Sequence, residues 1–392
     1  MKTLVVAPQP FYSARGTPLS VYYRSLVMAE QGAEIDLLTY GSGKNVRIPG
    51  VRVIRVPRLK FLEPLPIGPS WSKLLLDVFM LVWTVGLLLR HRYKLVHAHE
   101  EAVFWCWLLR PVFRFRLIYD MHSSLPQQLE NFRFTTSRLL IGVFSTLERI
   151  CVKRANAVIT ICPSLTNYAL QLGAKPDRVL LIENSLIDDI QFQDPAPTDA
   201  ADPIHEPVDF GPGHPVILYA GTFEAYQGVD MLVEAFASVV RRRPDARLLL
   251  VGGTGKQVTK IRELVDSLAL GGTCALTGHV PRANAIEYAR SAQVLVSLRL
   301  HGNNTPLKVY ELLASGRPMV ATRVWAHTQV LDDSVCFLAD PNAEAMAGSL
   351  LEALGDEAES ARRVANALAR FERDYARPVY EAKIRRLFEI VA

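Results

Sequence analysis

Cysteine is scarce in this 392-residue chain: the five present (Cys106, Cys151, Cys162, Cys274 and Cys336) are scattered and form no CxxC pair. An odd, dispersed set argues against a disulfide framework or a cysteine zinc site and points to a reducing compartment. A secretory leader is not expected, because the apolar run in MKTLVVAPQPF is too short for one. Nucleic acid is not an expected partner, since there is no stacked aromatic platform, zinc spacing or helix-turn-helix signature. The most apolar run, LLLDVFMLVWTVGLLLR (74–90), falls short of the ~20 residues a bilayer span needs and carries Asp77.

What is present describes a globular chain, 49% hydrophobic and 21% charged, with a length that suits two domains better than one. Its net charge of +5 is unevenly spread. Residues 1–186 hold 23 lysines and arginines against 12 acidic residues, whereas the remainder holds 21 against 27. Only the first half is therefore suited to a polyanion, and an anionic membrane surface is the expected one.

Short apolar strands alternate with helical stretches. TLVVAPQ, AEIDLLTYG, KLVHAHE, FRLIYDMHS and NAVITICPS form the first set; PVILYAGTF, ARLLLVGG, CALTGHV, AQVLVSLR and RPMVATRV form the second. This α/β pattern predicts two Rossmann-like, doubly wound domains facing across a cleft that holds the substrates. The expected bounds are 1–186 for an acceptor domain and 215–370 for a donor domain. A Pro-, Asp- and Gly-rich linker (187–214) separates them, and a C-terminal helix (371–392) is a candidate to pack back on the first domain.

The segment NNTPLKVYELLASGRP (303–318) is the most informative. Thr305 is a natural N-cap and Pro306 a natural first helical residue, with Gly316 and Pro318 beyond the end. Lys308 then falls in the first turn, where the helix dipole disfavours a cation, with Glu311 on the same face. An anion at the helix start explains the lysine: a diphosphate held by free N–H groups and the ammonium, with Glu311 placed to accept from a ribose diol. The plain alternative is a surface helix with an incidental Lys–Glu pair.

TPLKVYELLASGRPMVAT resembles the donor-binding segment of GT-B glycosyltransferases, specifically the retaining family 4. AGTFEAYQGVDMLVEAF, LLLVGG, LTGHV, RVLLIENS and ARGTPLSVYYRSLVMAEQGAEIDLLTY match the same family in order and spacing, so the likeness covers nearly the whole chain. It implies a retaining enzyme without bound metal or cofactor, using a nucleotide-sugar as substrate. UDP is the expected nucleotide because it is the commonest in the family. It also implies that Glu311 binds ribose, Lys308 the diphosphate, and backbone around Val280 the base. Gly16 would let backbone approach the phosphates, and His122 would touch the donor sugar. Gly221, Thr222, Gln227, Asn304, Thr305 and Leu307 complete the implied donor contacts.

The chain departs from the family at several points. Asn303 stands where the first glutamate of E-x7-E belongs, and Thr222 and Gln227 replace a usual Arg and Lys. An asparagine cannot act as a carboxylate nucleophile. A front-face reaction is therefore expected, with His122 and Asn303 orienting the sugar and Lys308 as the main cation on the diphosphate. The expected acceptor is a lipid-linked or saccharide hydroxyl in envelope or exopolysaccharide synthesis, on a cytoplasmic enzyme peripheral to the inner face of the membrane. Two alternatives remain open here: a sugar-nucleotide epimerase, for which Glu100 and Glu224 are the nearest acid/base candidates, and a non-catalytic partner subunit.

Asp120 and His122 in YDMHSS share one side of a strand, and a lone histidine there also admits a structural role. His97 is expected to pack, and His99 is a weak cleft candidate. Gly252–Lys256 lacks P-loop spacing. Residues 74–90 suit either a helix buried beneath the sheet or an interfacial one. VFWCWLLRPVFRFR (103–116), with aromatics beside Arg110, Arg114 and Arg116, is a second membrane-surface candidate.

Overall fold

A computed structural model of the chain describes residues 1–12, 16–63, 65, 70–126, 137–186, 208 and 210–392. Most of the expected linker, 187–207, lies outside the described residues. The chain divides into two compact units, one of residues 1–186 with 377–392, the other of residues 187–376.

The first unit is built on a seven-stranded sheet of β1 (Lys2–Ala7), β2 (Glu34–Thr39), β3 (Val51–Arg55), β4 (Leu95–His99), β5 (Arg116–Met121), β6 (Ala157–Thr160) and β7 (Val179–Leu181). The strands lie in the order β3-β2-β1-β4-β5-β6-β7, and every pairing is parallel. Its helices are α1 (Gly16–Glu30), α2 (Trp71–Arg90), α3 (Ala102–Phe113), α4 (Arg138–Arg154) and α5 (Pro163–Gln171). Central strands such as β4 are buried throughout, as a sheet covered on both faces requires. At the edge, β3 reads VRVIR and is only half-buried; Arg52 reaches the Asp36 carboxylate with two bonds of 2.7 Å.

The second unit repeats the plan with β8 (Val216–Ala220), β9 (Arg247–Val251), β10 (Cys274–Gly278), β11 (Val294–Ser297), β12 (Met319–Thr322) and β13 (Phe337–Ala339). Their order is β10-β9-β8-β11-β12-β13, again all parallel. Its helices are α6 (Val229–Arg242), α7 (Gly255–Ser267), α8 (Arg282–Ser291), α9 (Lys308–Leu313), α10 (Trp325–Thr328), α11 (Ala343–Gly355) and α12 (Glu357–Asp374). The last helix, α13 (Arg377–Val391), belongs to the first unit. It buries Tyr380, Ile384, Leu387 and Val391, the stripe expected of a 3.6-residue period. Ion pairs from Arg377 to Glu30 (2.6 Å) and from Lys383 to Glu183 fix it.

In each sheet the chain order reverses at one place: between β1 and β4 in the first, and between β8 and β11 in the second. Such switch points leave a crevice beyond the strands' carboxyl ends, because the flanking connections run off in opposite directions.

Candidate active site

The switch point of the second unit gathers two cations. Lys308 opens α9, with Nζ 4.1 Å from the centre of the Tyr219 ring and 3.4 Å from the Ala220 carbonyl at the end of β8. The next residue is Gly221, and a methyl group built there would stand 3.1 Å from Nζ, so a side chain at 221 would displace the lysine. Burial, and then the positive charge of Arg299, push Lys308 down to about 7, with Glu311 opposing the shift. Arg299, two residues beyond β11, stacks its guanidinium carbon 4.7 Å from the Tyr226 ring centre. Its backbone N–H donates to Thr322 Oγ1 at 2.9 Å, while its Nε is buried without a hydrogen-bond partner.

Beside Lys308, the expected main cation, the structure places a second one, Arg299, that the sequence reading did not include. The loop after β8 carries Thr222 and Gln227, and the second positive charge comes from the loop after the neighbouring strand β11. The available signal was a lone arginine at the end of an apolar strand. Its partners, Tyr226 and Thr322, are far off in sequence, so only the fold shows its use.

The helix start is corrected. Thr305 is not the N-cap: α9 begins at Lys308, Leu307 occupies the cap position without a side-chain bond, and the Thr305 hydroxyl is buried without a partner. Val309 N–H then bonds the Pro306 carbonyl at 3.0 Å, a tight i→i+3 turn. A helix this short contributes little dipole, which leaves the side-chain cations as the main electrostatic attraction.

The other implied donor residues surround this point. The Thr222 carbonyl accepts from the Tyr219 hydroxyl at 2.9 Å, and buried Gln227 donates to Thr222 Oγ1 at 3.4 Å. Gln227 Oε1 is buried without a partner. Val280 is buried in an apolar cluster with Tyr288 and Leu312. Glu311 pairs with Arg282, the first residue of α8, at 2.8 Å. Asn303 is exposed, and its carbonyl accepts from Gln329 Nε2 at 2.6 Å, while Asn304 and Leu307 are half-buried in the turn leading to Lys308. Gly252 closes the floor of this region. Its φ of 116° and a would-be Cβ only 2.0 Å from the Gly221 carbonyl allow nothing larger.

In the first unit, Gly16 opens α1 beside the β1/β4 switch point; residues 13–15, just before it, lie outside the described residues. Next to it stands a buried polar cluster at the ends of β4 and β5. His97 Nε2 lies 2.8 Å from Asp120 Oδ2, His99 Nδ1 lies 3.1 Å from His122 Nε2, and His122 Nε2 lies 3.3 Å from Asp120 Oδ1. Arg24, from α1, forms a buried ion pair with Asp120 and donates to the Ile182 carbonyl at 3.0 Å. Burial alone would raise Asp120; Arg24 and the imidazoles instead hold it well below the carboxylate range. Burial pushes His122 down to about 4 and His99 well below its ordinary value, so both rings are neutral at pH 7.

Sequence reasoning singled out His122 and gave His97 a packing role, but missed Arg24, which the pattern of α1 marks only as a charged residue in a helix. The ligand atoms of His97, His99 and Asp120 lie within 4.8 Å of one another. Arg24 already neutralises Asp120 there, so the set is a poor match for a divalent cation. Glu100, with φ 48°, ends β4 in a left-handed turn beside Ser123 (3.4 Å), and burial raises its pKa. Glu224 accepts from Gln257 Nε2 at 3.0 Å.

Two families match the chain in tandem: the Glycosyl transferase 4-like domain over residues 22–185 and Glycosyl transferases group 1 over residues 201–370. The D-inositol 3-phosphate glycosyltransferase of Xylanimonas cellulosilytica is 27% identical over 390 residues, covering 91% of this chain and 87% of that one. The phosphatidyl-myo-inositol mannosyltransferase of Mycolicibacterium smegmatis is 24% identical, covering 100% of this chain and 94% of that one. Among solved structures, HepE of Anabaena in complex with UDP superposes with a TM-score of 0.70 at 14% identity, covering 99% of this chain and 100% of that one. With two parallel doubly wound sheets and both family domains in order, the chain is a group 1 glycosyltransferase of the GT-B fold.

Proposed function

We propose that the enzyme transfers a hexose from a UDP-sugar to a hydroxyl of a phosphate-bearing polyol or lipid-linked acceptor, with retention of configuration. The observation that carries this reading is the pairing of Lys308 with Arg299 at the switch point of the second unit. Two cations beside a glycine that keeps Lys308 unobstructed suit a group with two adjacent negative phosphates. HepE, bound to UDP, supports the choice of nucleotide, and the relatives' names support an inositol-type acceptor.

In the reaction, the bond between sugar C1 and the β-phosphate oxygen breaks, and its electron pair stays on the phosphate. Lys308 and Arg299 stabilise the charge that develops there. The acceptor oxygen bonds to C1 on the same face, and its proton passes to the departing phosphate. Asn303 supplies no carboxylate for a covalent intermediate, which favours this front-face route. Within the second unit the Asn303 amide is assigned to a sugar hydroxyl, and Glu311 to the ribose, where the diol replaces or joins Arg282. In this reading the two alternatives, epimerase and non-catalytic subunit, give way to a transferase, the activity for which the relatives are named.

The test is a donor screen with inositol phosphate and lipid-linked acceptors. It follows UDP release and the anomeric coupling of the product by NMR. Release coupled to acceptor, with the donor's anomeric configuration in the product, is expected. An inverted product, or a glycosylated protein trapped on the way, contradicts the front-face route.

A further inference from the structure

The outer surface of the first unit carries an apolar face that a water-facing helical layer does not need. α2, α3 and α4 lie side by side, with α3 touching both neighbours. On its inner side, α2 buries Leu76, Met80, Leu87 and Leu88. On its outer side Trp71, Leu74, Leu75, Val78 and Val82 follow helical spacing and stay open to solvent, with Trp71 76%, Val78 53% and Val82 57% exposed. Leu108 and Val112 of α3, and Leu139, Leu140 and Val143 of α4, are exposed as well, with Leu139 78% exposed. Exposed apolar side chains gathered on three neighbouring helices cost solubility unless something covers them.

The same layer ends in positive charge. Where α3 and α4 terminate, a cavity of about 950 Å³ is lined by Trp107, Arg110, Arg114, Arg116, Lys153 and Arg154. Among the described residues, no carboxylate pairs with any of these five cations. Arg110 donates to the Arg154 carbonyl at 2.6 Å, and its pKa is lowered by burial and by the charges of Arg116, Arg178 and Arg154. Helix C-termini welcome one or two cations. Five with no anion among them form a site for phosphate groups.

We infer that this face docks on an anionic lipid bilayer. The apolar side of α2, α3 and α4 enters the interface, and the cationic cavity takes lipid phosphates. Charge decides between a bilayer and a protein partner: uncompensated cations at the end of an apolar, tryptophan-bearing face match a headgroup layer over hydrocarbon. α2 is long and apolar enough by composition to cross a membrane. Its inner side is part of the core, however, so it lies along the surface instead. The three helices run antiparallel to the strands, so their N-terminal ends lie at the sheet edge that carries His99 and His122. The inference rests on this surface alone and stands or falls apart from the donor reading.

The experiment is flotation of the full chain with neutral phosphatidylcholine vesicles and with vesicles containing phosphatidylglycerol. Calorimetric UDP binding and circular dichroism serve as controls for folding. The expected result is binding that favours anionic vesicles by about tenfold or more. Val78→Glu with Val82→Glu, and separately Leu139→Glu, are expected to abolish binding to both kinds of vesicle. Arg114→Glu with Arg116→Glu should remove only the anionic preference. The inference is overturned if the wild-type chain fails to float, if the folded apolar variants float as well as wild type, or if the charge reversal changes nothing. It is also overturned if light scattering shows a vesicle-indifferent dimer that Val78→Glu with Val82→Glu dissociates, since a second copy would then cover the face.

Discussion

Lys308 Nζ sits 4.1 Å above the Tyr219 ring, where burial first and the charge of Arg299 second disfavour its proton. With its pKa pushed down to about 7, the amine is partly neutral in the free protein at pH 7 to 8, and a bound diphosphate would restore the full charge. Nucleotide binding at pH 8 is therefore expected to take up close to one proton, and affinity to fall as pH rises above about 7. Calorimetry in buffers of different ionisation enthalpy measures the uptake directly; Lys308→Met should abolish most of it.

Arg24 and Asp120 form the anchor of the first unit, both fully buried. Arg24→Met leaves a buried carboxylate uncompensated and is expected to cost about 3–5 kcal/mol in urea unfolding. Asp120→Asn combined with it should recover part of that loss.

Acid should weaken the first unit early. His99 and His122 have folded pKa values below the ordinary 6.5, so the unfolded chain binds more protons between pH 6.5 and about 4. Their contribution is complete above pH 6.5 and is lost as pH falls through that window. Asp120, also lowered, adds a loss in the same direction below its ordinary value of 3.8. Unfolding midpoints at pH 7.5, 6 and 5 should fall in that order, and His122→Gln should flatten the slope.

Gly252→Ala tests the floor beneath Lys308. The substitution meets both a positive φ and the Gly221 carbonyl, and should destabilise the second unit by about 1–3 kcal/mol or distort the loop. Differential scanning calorimetry with and without UDP separates the two: a distorted loop loses UDP stabilisation, whereas simple strain keeps it.

How much of this was legible in the sequence follows from the range of the interactions. VILYA and LVHAH announce themselves because both faces of a parallel sheet are covered, which makes the strands continuous apolar runs. β3 (VRVIR) and the three-residue β13 gave no such signal, one being a charged edge and the other too short. Lys308 was visible because its oddity is local, a cation in a first helical turn. Arg299, Arg24 and the floor at Gly252 depend on contacts between distant segments. The outer face of α2 was ambiguous for a different reason. A helix apolar all round has no periodicity to say which side meets the core, and only the packing of Leu76, Met80, Leu87 and Leu88 resolves it.

The most direct measurement is calorimetric binding of UDP, GDP and ADP to the wild type and to Lys308→Ala, Arg299→Ala and Glu311→Gln. The account predicts that UDP binds best and that each substitution weakens it by about 1–3 kcal/mol. The loss at Lys308 and Arg299 should shrink in high salt. Tight UDP binding that survives the loss of both cations, or no nucleotide binding at all, would contradict the donor site at the β8/β11 switch point.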